Sequence, residues 1–265
     1  MTTTAAPAAN LATDHATATP LGGILRDITR GGLTGIIVGL VGGGIGGRLV
    51  MRLAALLVPE SAGAITQNGN PIGEISLGGS FSLALIGLIA GVIASTIWVV
   101  VSPWIPSVGI RRAVLAMPIA VALGTTGLIQ GDSQDFFVLR HDPTIVGLLV
   151  VLVAVIGFLF ALVDDALDRR LPVASGPAAI VYAFVATIWV ALMLLLGVVS
   201  FLTASLMGVA LVGVGMATLG TWVVRVKGRP RSRWLIIAGR ATLAVAVVLG
   251  FARTVPEVSL ALGLT

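Results

Sequence analysis

Pro177–Val224 reads PAAIVYAFVATIWVALMLLLGVVSFLTASLMGVALVGVGMATLGTWVV, 48 residues without one charged side chain. A single helix of that length would extend about 70 Å at about 1.5 Å per residue, roughly twice what a bilayer holds. The stretch therefore folds back on itself, and Ser200–Ser205, with Ser200, Thr203 and Ser205, is the natural place for the turn. Two spans follow, near 178–199 and 205–224.

Working outward, the same criterion of about 20 apolar residues per crossing gives further spans near 32–51, 81–101, 113–130, 144–163 and 234–251. The expected fold is all-α: a polytopic transmembrane helical bundle of seven spans, forming one domain over 21–265. The totals agree. The chain has 265 residues, 57% hydrophobic and 10% charged, with a mean hydropathy of +1.09, whereas soluble domains carry about 25% charged residues. Residues 1–20 are rich in Thr, Ala and Pro and lack apolar periodicity, which predicts a disordered tail rather than a secretory signal.

The formal net charge is +5. In a soluble protein this would suggest nucleic acid, but here the basic residues flank the spans, so no nucleic-acid partner is expected. One set of span ends collects Arg26, Arg30, Arg111, Arg112, Arg169, Arg170, Arg225, Lys227, Arg229, Arg231 and Arg233. The other set has Arg48, Arg52, Arg140 and Arg253, and Arg240 falls inside the last span. Cytoplasmic loops are the Lys/Arg-rich ones, so the N-terminus is expected in the cytoplasm and the C-terminus outside, in a bacterial-type plasma membrane. The cluster Arg225–Arg233 suits the anionic lipids of that leaflet, each cation adding about 1 kcal/mol of attraction. Seven spans with this orientation resemble the heliorhodopsins. A retinal Schiff base needs a lysine in the last span, however, and the single lysine, Lys227, lies in a basic loop. No cofactor is called for, and the absence of cysteine removes thiol chemistry and disulfides.

Four groups of residues stand out. Gly31, Gly35, Gly39, Gly43 and Gly47 recur at every fourth position, and Gly87 and Gly91 repeat the device in the second span. Residues four apart share a helix face, so this glycine zipper exposes backbone for close helix contact. Its expected occupant is another span of the chain, with a second copy or another membrane protein as the alternatives. The run Gly42–Gly47 raises the further question of whether the first span is broken, as in transporters. Arg48 and Arg52 lie one turn apart against the charge bias and, with the intramembrane Arg240, are the candidates for a lipid headgroup or small anion.

The third group, Asp164, Asp165 and Asp168, reads DDALD and resembles the aspartate-rich motif of prenyl-transferring enzymes. That resemblance implies Mg²⁺ bound against a pyrophosphate, in a lipid-modifying membrane enzyme. Read from the residues alone, the motif is a solvated loop with local Asp–Arg pairs just beyond the fourth span, leaving no carboxylate within any span. The fourth group, Asp132, Ser133, Asp135, Arg140, His141 and Asp142, lies on one external loop. Its residue types suit a metal or a hydrolase, and its Gly131-Asp132-Ser133 resembles the GDS motif of one lipase class. That motif belongs after a strand and here follows a membrane helix, so a polar turn with local ion pairs is the preferred reading.

With no soluble catalytic domain in view, the sequence favours a non-enzymatic membrane scaffold or complex component, followed by a transporter or channel for a headgroup or anion. The charge bias makes one direct prediction. Alkaline phosphatase fused after Thr265 will be active, since that enzyme matures only outside the cytoplasm, and the same fusion before Met1 will be silent. The reverse pattern, or matching results at both ends, would overturn the seven-span orientation.

Overall fold

The computed structural model describes residues 19–63, 65, 73, 76–128, 142–172, 176–202 and 206–264. Among the described residues the fold is all-helical. The first helix, α1 (Pro20–Leu57), is followed by α2 (Leu77–Val101), α3 (Ile110–Leu128), α4 (Pro143–Arg170), α5 (Gly176–Leu202), α6 (Leu206–Val226) and α7 (Arg233–Ala261). Six of these seven are long and apolar enough to cross a membrane. The exception is α3, which has 19 residues, opens with Arg111 and Arg112, and contains Pro118. The chain is a multi-pass membrane protein, although its third expected span falls short of that measure. The tail 1–18 and the loop 131–141 lie outside the described residues, and so do 203–205 in the turn between α5 and α6.

Helix starts follow local chemistry. Thr19, Ser76, Asp142 and Ser232 each precede a first turn and accept a backbone N–H with the side chain: from Gly22 (3.1 Å), Gly79 (3.1 Å), Thr144 (2.7 Å) and Leu235 (3.1 Å). Such caps satisfy amides that have no partner within the helix. Consecutive helices run in alternate directions. One end of the bundle therefore gathers the first turns of α1, α3, α5 and α7 with the last turns of α2, α4 and α6, and the abundant basic residues sit at that end.

The helices outrun the apolar stretches that announce them. Rather than starting near Gly32, α1 begins at Pro20, and α4 continues seven residues past Val163 to Arg170. Arg26, Asp27 and Arg30 in the first extension and Asp164, Asp165 and Asp168 in the second are ion-paired, so they do not end the helices.

Nor does the glycine run break α1. Gly39–Gly46 is π-helical, between α-helical Pro20–Val38 and Gly47–Leu57. The wider i→i+5 turn keeps the helix continuous. Against it lies α2. A Cβ on Gly39 would sit 2.8 Å from Gly91 Cα, and one on Gly87 would sit 2.5 Å from Gly39 O and 2.8 Å from Gly44 N. Gly35 and Gly43 meet Ser95 and Gly87 at still closer range, Gly31 meets Val99, and Gly47 has only Leu83 nearby, at 3.8 Å. The glycine face of α1 is thus covered by α2 within the same chain. Other small residues seat other helices: Gly157 against Ala116 and Ala120, Gly250 against Ala122, and Gly239 under the Trp104 ring.

The core between these contacts holds Val38, Trp98, Val101, Trp104, Phe160, Val214 and Leu243. It contains one polar tie, in which Trp104 Nε1 donates to Thr218 Oγ1 (2.9 Å) and the Thr218 hydroxyl reaches Val100 O (2.8 Å).

Overpacking a tight contact costs typically about 1–3 kcal/mol and at times more. Gly91→Val is therefore expected to lower the thermal midpoint in detergent by several degrees or to abolish folding. Gly147→Val is the control, because nothing lies within 4 Å of its added carbon. Equal stability of the two variants would sink this account of the α1–α2 contact.

Candidate functional site: an arginine–aspartate cavity at one end of the bundle

The site begins with two complementary pairs. Arg26 and Arg30 lie one turn apart on α1, and Asp164 and Asp168 lie one turn apart on α4. Because the helices are antiparallel, the two ladders meet in register. Arg26 Nη1 donates to Asp168 Oδ1 (2.8 Å) and Arg30 Nε to Asp164 Oδ1 (2.8 Å). Arg30 Nη1 also donates to the same Oδ1 of Asp168, so one carboxylate oxygen bridges two guanidinium groups. Arg26 further grips the end of α4 through the carbonyls of Asp168 and Leu171, the latter 3.1 Å from Nη2.

Arg112, from the first turn of α3, closes the other side. Its Nη1 donates to Asp165 Oδ1 (2.6 Å), and its Nη2 lies 3.1 Å from Asp164 Oδ2. That second contact is an ion pair off the line of a hydrogen bond, and Asp164 Oδ2 has no other polar partner. The guanidinium of Arg112 sits 5.3 Å from the Trp98 ring centroid, within cation–π range. Asp165 Oδ2 accepts the N–H of Gly109 (3.1 Å), whose φ of +62° places it in the left-handed region that favours glycine. From α6, Arg225 Nη1 donates to Asp27 Oδ2 (2.8 Å). Four helices, α1, α3, α4 and α6, are thus joined by charge.

The network walls a cavity of about 450 Å³. Five arginines line it (Arg26, Arg30, Arg112, Arg225 and Arg231), against three aspartates (Asp27, Asp164 and Asp168), with Trp222, Val99 and Ser102 completing much of the wall. The lining is cationic by two charges, or by one when Asp165 is counted behind Arg112. Arg231 has no ion-pair partner among the described residues. The side chains differ sharply in exposure: Asp164 is 1% exposed, Arg112 12% and Arg30 16%, but Asp168 is 50% exposed.

The sequence expectations fare unevenly here. Asp164, Asp165 and Asp168 do come together, but not on a solvated loop. They belong to α4, and Asp164 is buried, which corrects the expectation that the spans hold no carboxylate. Burial is tolerated because Arg30 and Arg112 arrive with the charge. A Mg²⁺ bound to the DDALD carboxylates would have to displace these arginines, and among the described residues no cluster of three or more acidic or histidine side chains stands in metal-binding array.

Arg48, Arg52 and Arg240 are not part of the cavity. Arg52 Nη1 donates to Gly73 O (2.9 Å) and Arg48 Nη2 approaches Ser76 O (3.5 Å), so both reach carbonyls of the chain that follows α1. Arg240 is exposed on the outer face of α7. On the loop that holds Asp132, Ser133, Asp135, Arg140 and His141, all five lie outside the described residues; Asp142 is the cap of α4. Arg26, Arg30 and Arg112 appeared in the sequence only as topology flanks, and Asp27 was not among the candidates. The i, i+4 spacing of opposite charges on α1 and α4 was the signal that could have joined them.

Comparisons with known proteins return no match: no family model fits the sequence, and neither a curated protein nor a solved structure is detectably similar.

Leaving one partner of a buried ion pair uncompensated costs about 3–5 kcal/mol, whereas exposed pairs contribute about 0–1 kcal/mol. Asp164→Ala is therefore expected to destabilise the protein severely, since it removes the buried carboxylate between Arg30 and Arg112 and leaves these two largely buried cations only the more exposed Asp168, Asp27 and Asp165. Asp168→Ala should cost far less. Thermal unfolding of the two variants in one detergent checks the ranking, and a reversed order would refute it.

Proposed function

We propose that this multi-pass membrane protein binds a phosphate-type anion in the arginine-lined cavity and acts as a carrier or receptor for a lipid headgroup or a small anion. We place it in a bacterial-type plasma membrane with the cavity at the cytoplasmic surface. The supporting observation is the cavity itself, with five guanidinium groups converging from α1, α3, α6 and the α6–α7 connection on a space that carries excess positive charge. Guanidinium groups present planar forks that match phosphate and carboxylate oxygens. Exposed Arg111, Arg169, Arg170, Lys227 and Arg229 surround this end of the bundle and raise the local concentration of anions there.

A scaffold role agrees with the close glycine packing of α1 and α2, but it leaves the cavity without a purpose. A lipid source for the anion is reasonable, because this end of the bundle lies where span ends meet headgroups. A soluble phosphate presents the same oxygens.

Arg231 separates binding from folding, since it lines the cavity without holding another element in place. Native mass spectrometry from nanodiscs should find wild type retaining phosphatidylglycerol against a phosphatidylcholine background, or inorganic phosphate when only neutral lipid is present. The first outcome assigns a headgroup and the second a soluble anion. Arg231→Gln should retain about tenfold less, the worth of one charge-assisted hydrogen bond of about 1.5 kcal/mol. A wild type that holds neither probe overturns the reading.

A further inference from the structure

Asp168 occupies the position that an anion's oxygen would take. Its Oδ1 bridges Arg26 and Arg30, and one oxygen shared between two guanidinium groups is also how a phosphate oxygen is held. The neighbouring carboxylates cannot exchange in this way. Asp164 is sealed between Arg30 and Arg112, and Asp165 is tied to Arg112 and the Gly109 amide. Asp168 stands in the last turn of α4 with half its side chain in solvent, so swinging it outward strands no buried charge. Arg26 would keep its hold on α4 through the Asp168 and Leu171 carbonyls, and the helix end would stay in place while the carboxylate leaves.

We propose that Asp168 is a built-in competitor at the anion site: a tethered carboxylate that holds Arg26 and Arg30 in the empty state and that the incoming anion must replace. The inference rests on the anion reading above and adds a determinant of affinity and selectivity to it. A single carboxylate on a ligand would offer only what Asp168 already gives. A phosphate group brings more acceptor oxygens, so it can take Arg26 and Arg30 together and still meet Arg231. The cavity thereby favours phosphate-type anions over simple carboxylates.

The test is titration of the full-length protein in phosphatidylcholine nanodiscs with inorganic phosphate, and with acetate as the monocarboxylate probe. Phosphatidylglycerol nanodiscs provide the lipid arm. Asp168→Asn should bind phosphate about tenfold or more tightly than wild type, because it frees two charge-assisted donors. It should also acquire acetate binding that wild type lacks. Asp168→Glu, which keeps the competing carboxylate, should stay near wild type. Val226→Lys, at an exposed position at the same end of the bundle, adds the same unit of positive charge without releasing any arginine of the cavity, and it should also stay near wild type. Asp168→Ser provides a second neutral variant should the asparagine variant fail to fold.

Gain in Asp168→Asn or Asp168→Ser alone supports competition, even where wild-type binding is too weak to measure. Equal phosphate affinity in wild type and both neutral variants overturns the competitor while leaving the anion site standing. An equal gain in Val226→Lys also overturns it, reducing the effect to bulk charge. No binding of phosphate or phosphatidylglycerol by any variant overturns the anion reading and the competitor with it.

Discussion

Asp164 imposes a condition that the rest of this end of the molecule must meet. A carboxylate taken out of water carries a penalty of several kcal/mol unless cations come with it in good geometry. The two that come are Arg30 from α1 and Arg112 from α3, so the burial of one α4 side chain fixes three helices relative to one another. Arg112 extends the constraint, because its guanidinium also meets Asp165 and the Trp98 ring. Trp98 in turn packs on Phe160, with ring centroids 5.6 Å apart, and both belong to the core. The charged end and the apolar interior are therefore one structure, joined at Arg112 and Trp98.

Further along the bundle, packing has to work without water to drive it. Lipid chains are as apolar as leucine, so helices adhere through dispersion and close backbone approach. The π-helical turn explains why α1 has more glycine than a single four-residue stripe requires. Gly39 and Gly43 face Gly87 of α2, whereas Gly42 and Gly46 face Ile156 and Leu152 of α4. The widened segment lies in the groove between α2 and α4, and it needs small residues on both flanks. Each glycine costs about 1 kcal/mol against alanine in a helix interior, and van der Waals contact with two neighbours offsets this.

The helices themselves were legible in the sequence, because long apolar runs have few alternative structures in a protein with so few charges. The Gly31–Gly47 periodicity identified a helix face for the same local reason. The helix ends were not legible. A hydropathy reading stops at the first charge, and it therefore removed Pro20–Gly31 from α1 and Asp164–Arg170 from α4. Those fragments hold much of the candidate site. Whether Asp164 is solvated or buried depends on Arg30, 134 residues away, and on Arg112, and a local reading has no access to either. Gly157, Gly239 and Gly250 escaped notice similarly. Each stands apart from the regular stripe, and its importance comes from the atom opposite it.

The two ends of the bundle show how acceptors decide what an arginine does. Arg52 faces the carbonyl of Gly73, a neutral group that no soluble anion can displace from its own chain, and its role there is to hold the connection after α1. Arg26 and Arg30 face carboxylates of graded exposure, from sealed Asp164 to half-exposed Asp168. A sealed ion pair behaves as structure, because breaking it leaves a charge in a medium of low dielectric. A pair open to water is nearly neutral in energy, and its anionic half can be exchanged for another anion at little cost. The exposure gradient along one turn of α4 thus separates an anchor from a replaceable ligand within a single motif, and both carboxylates line the same cavity.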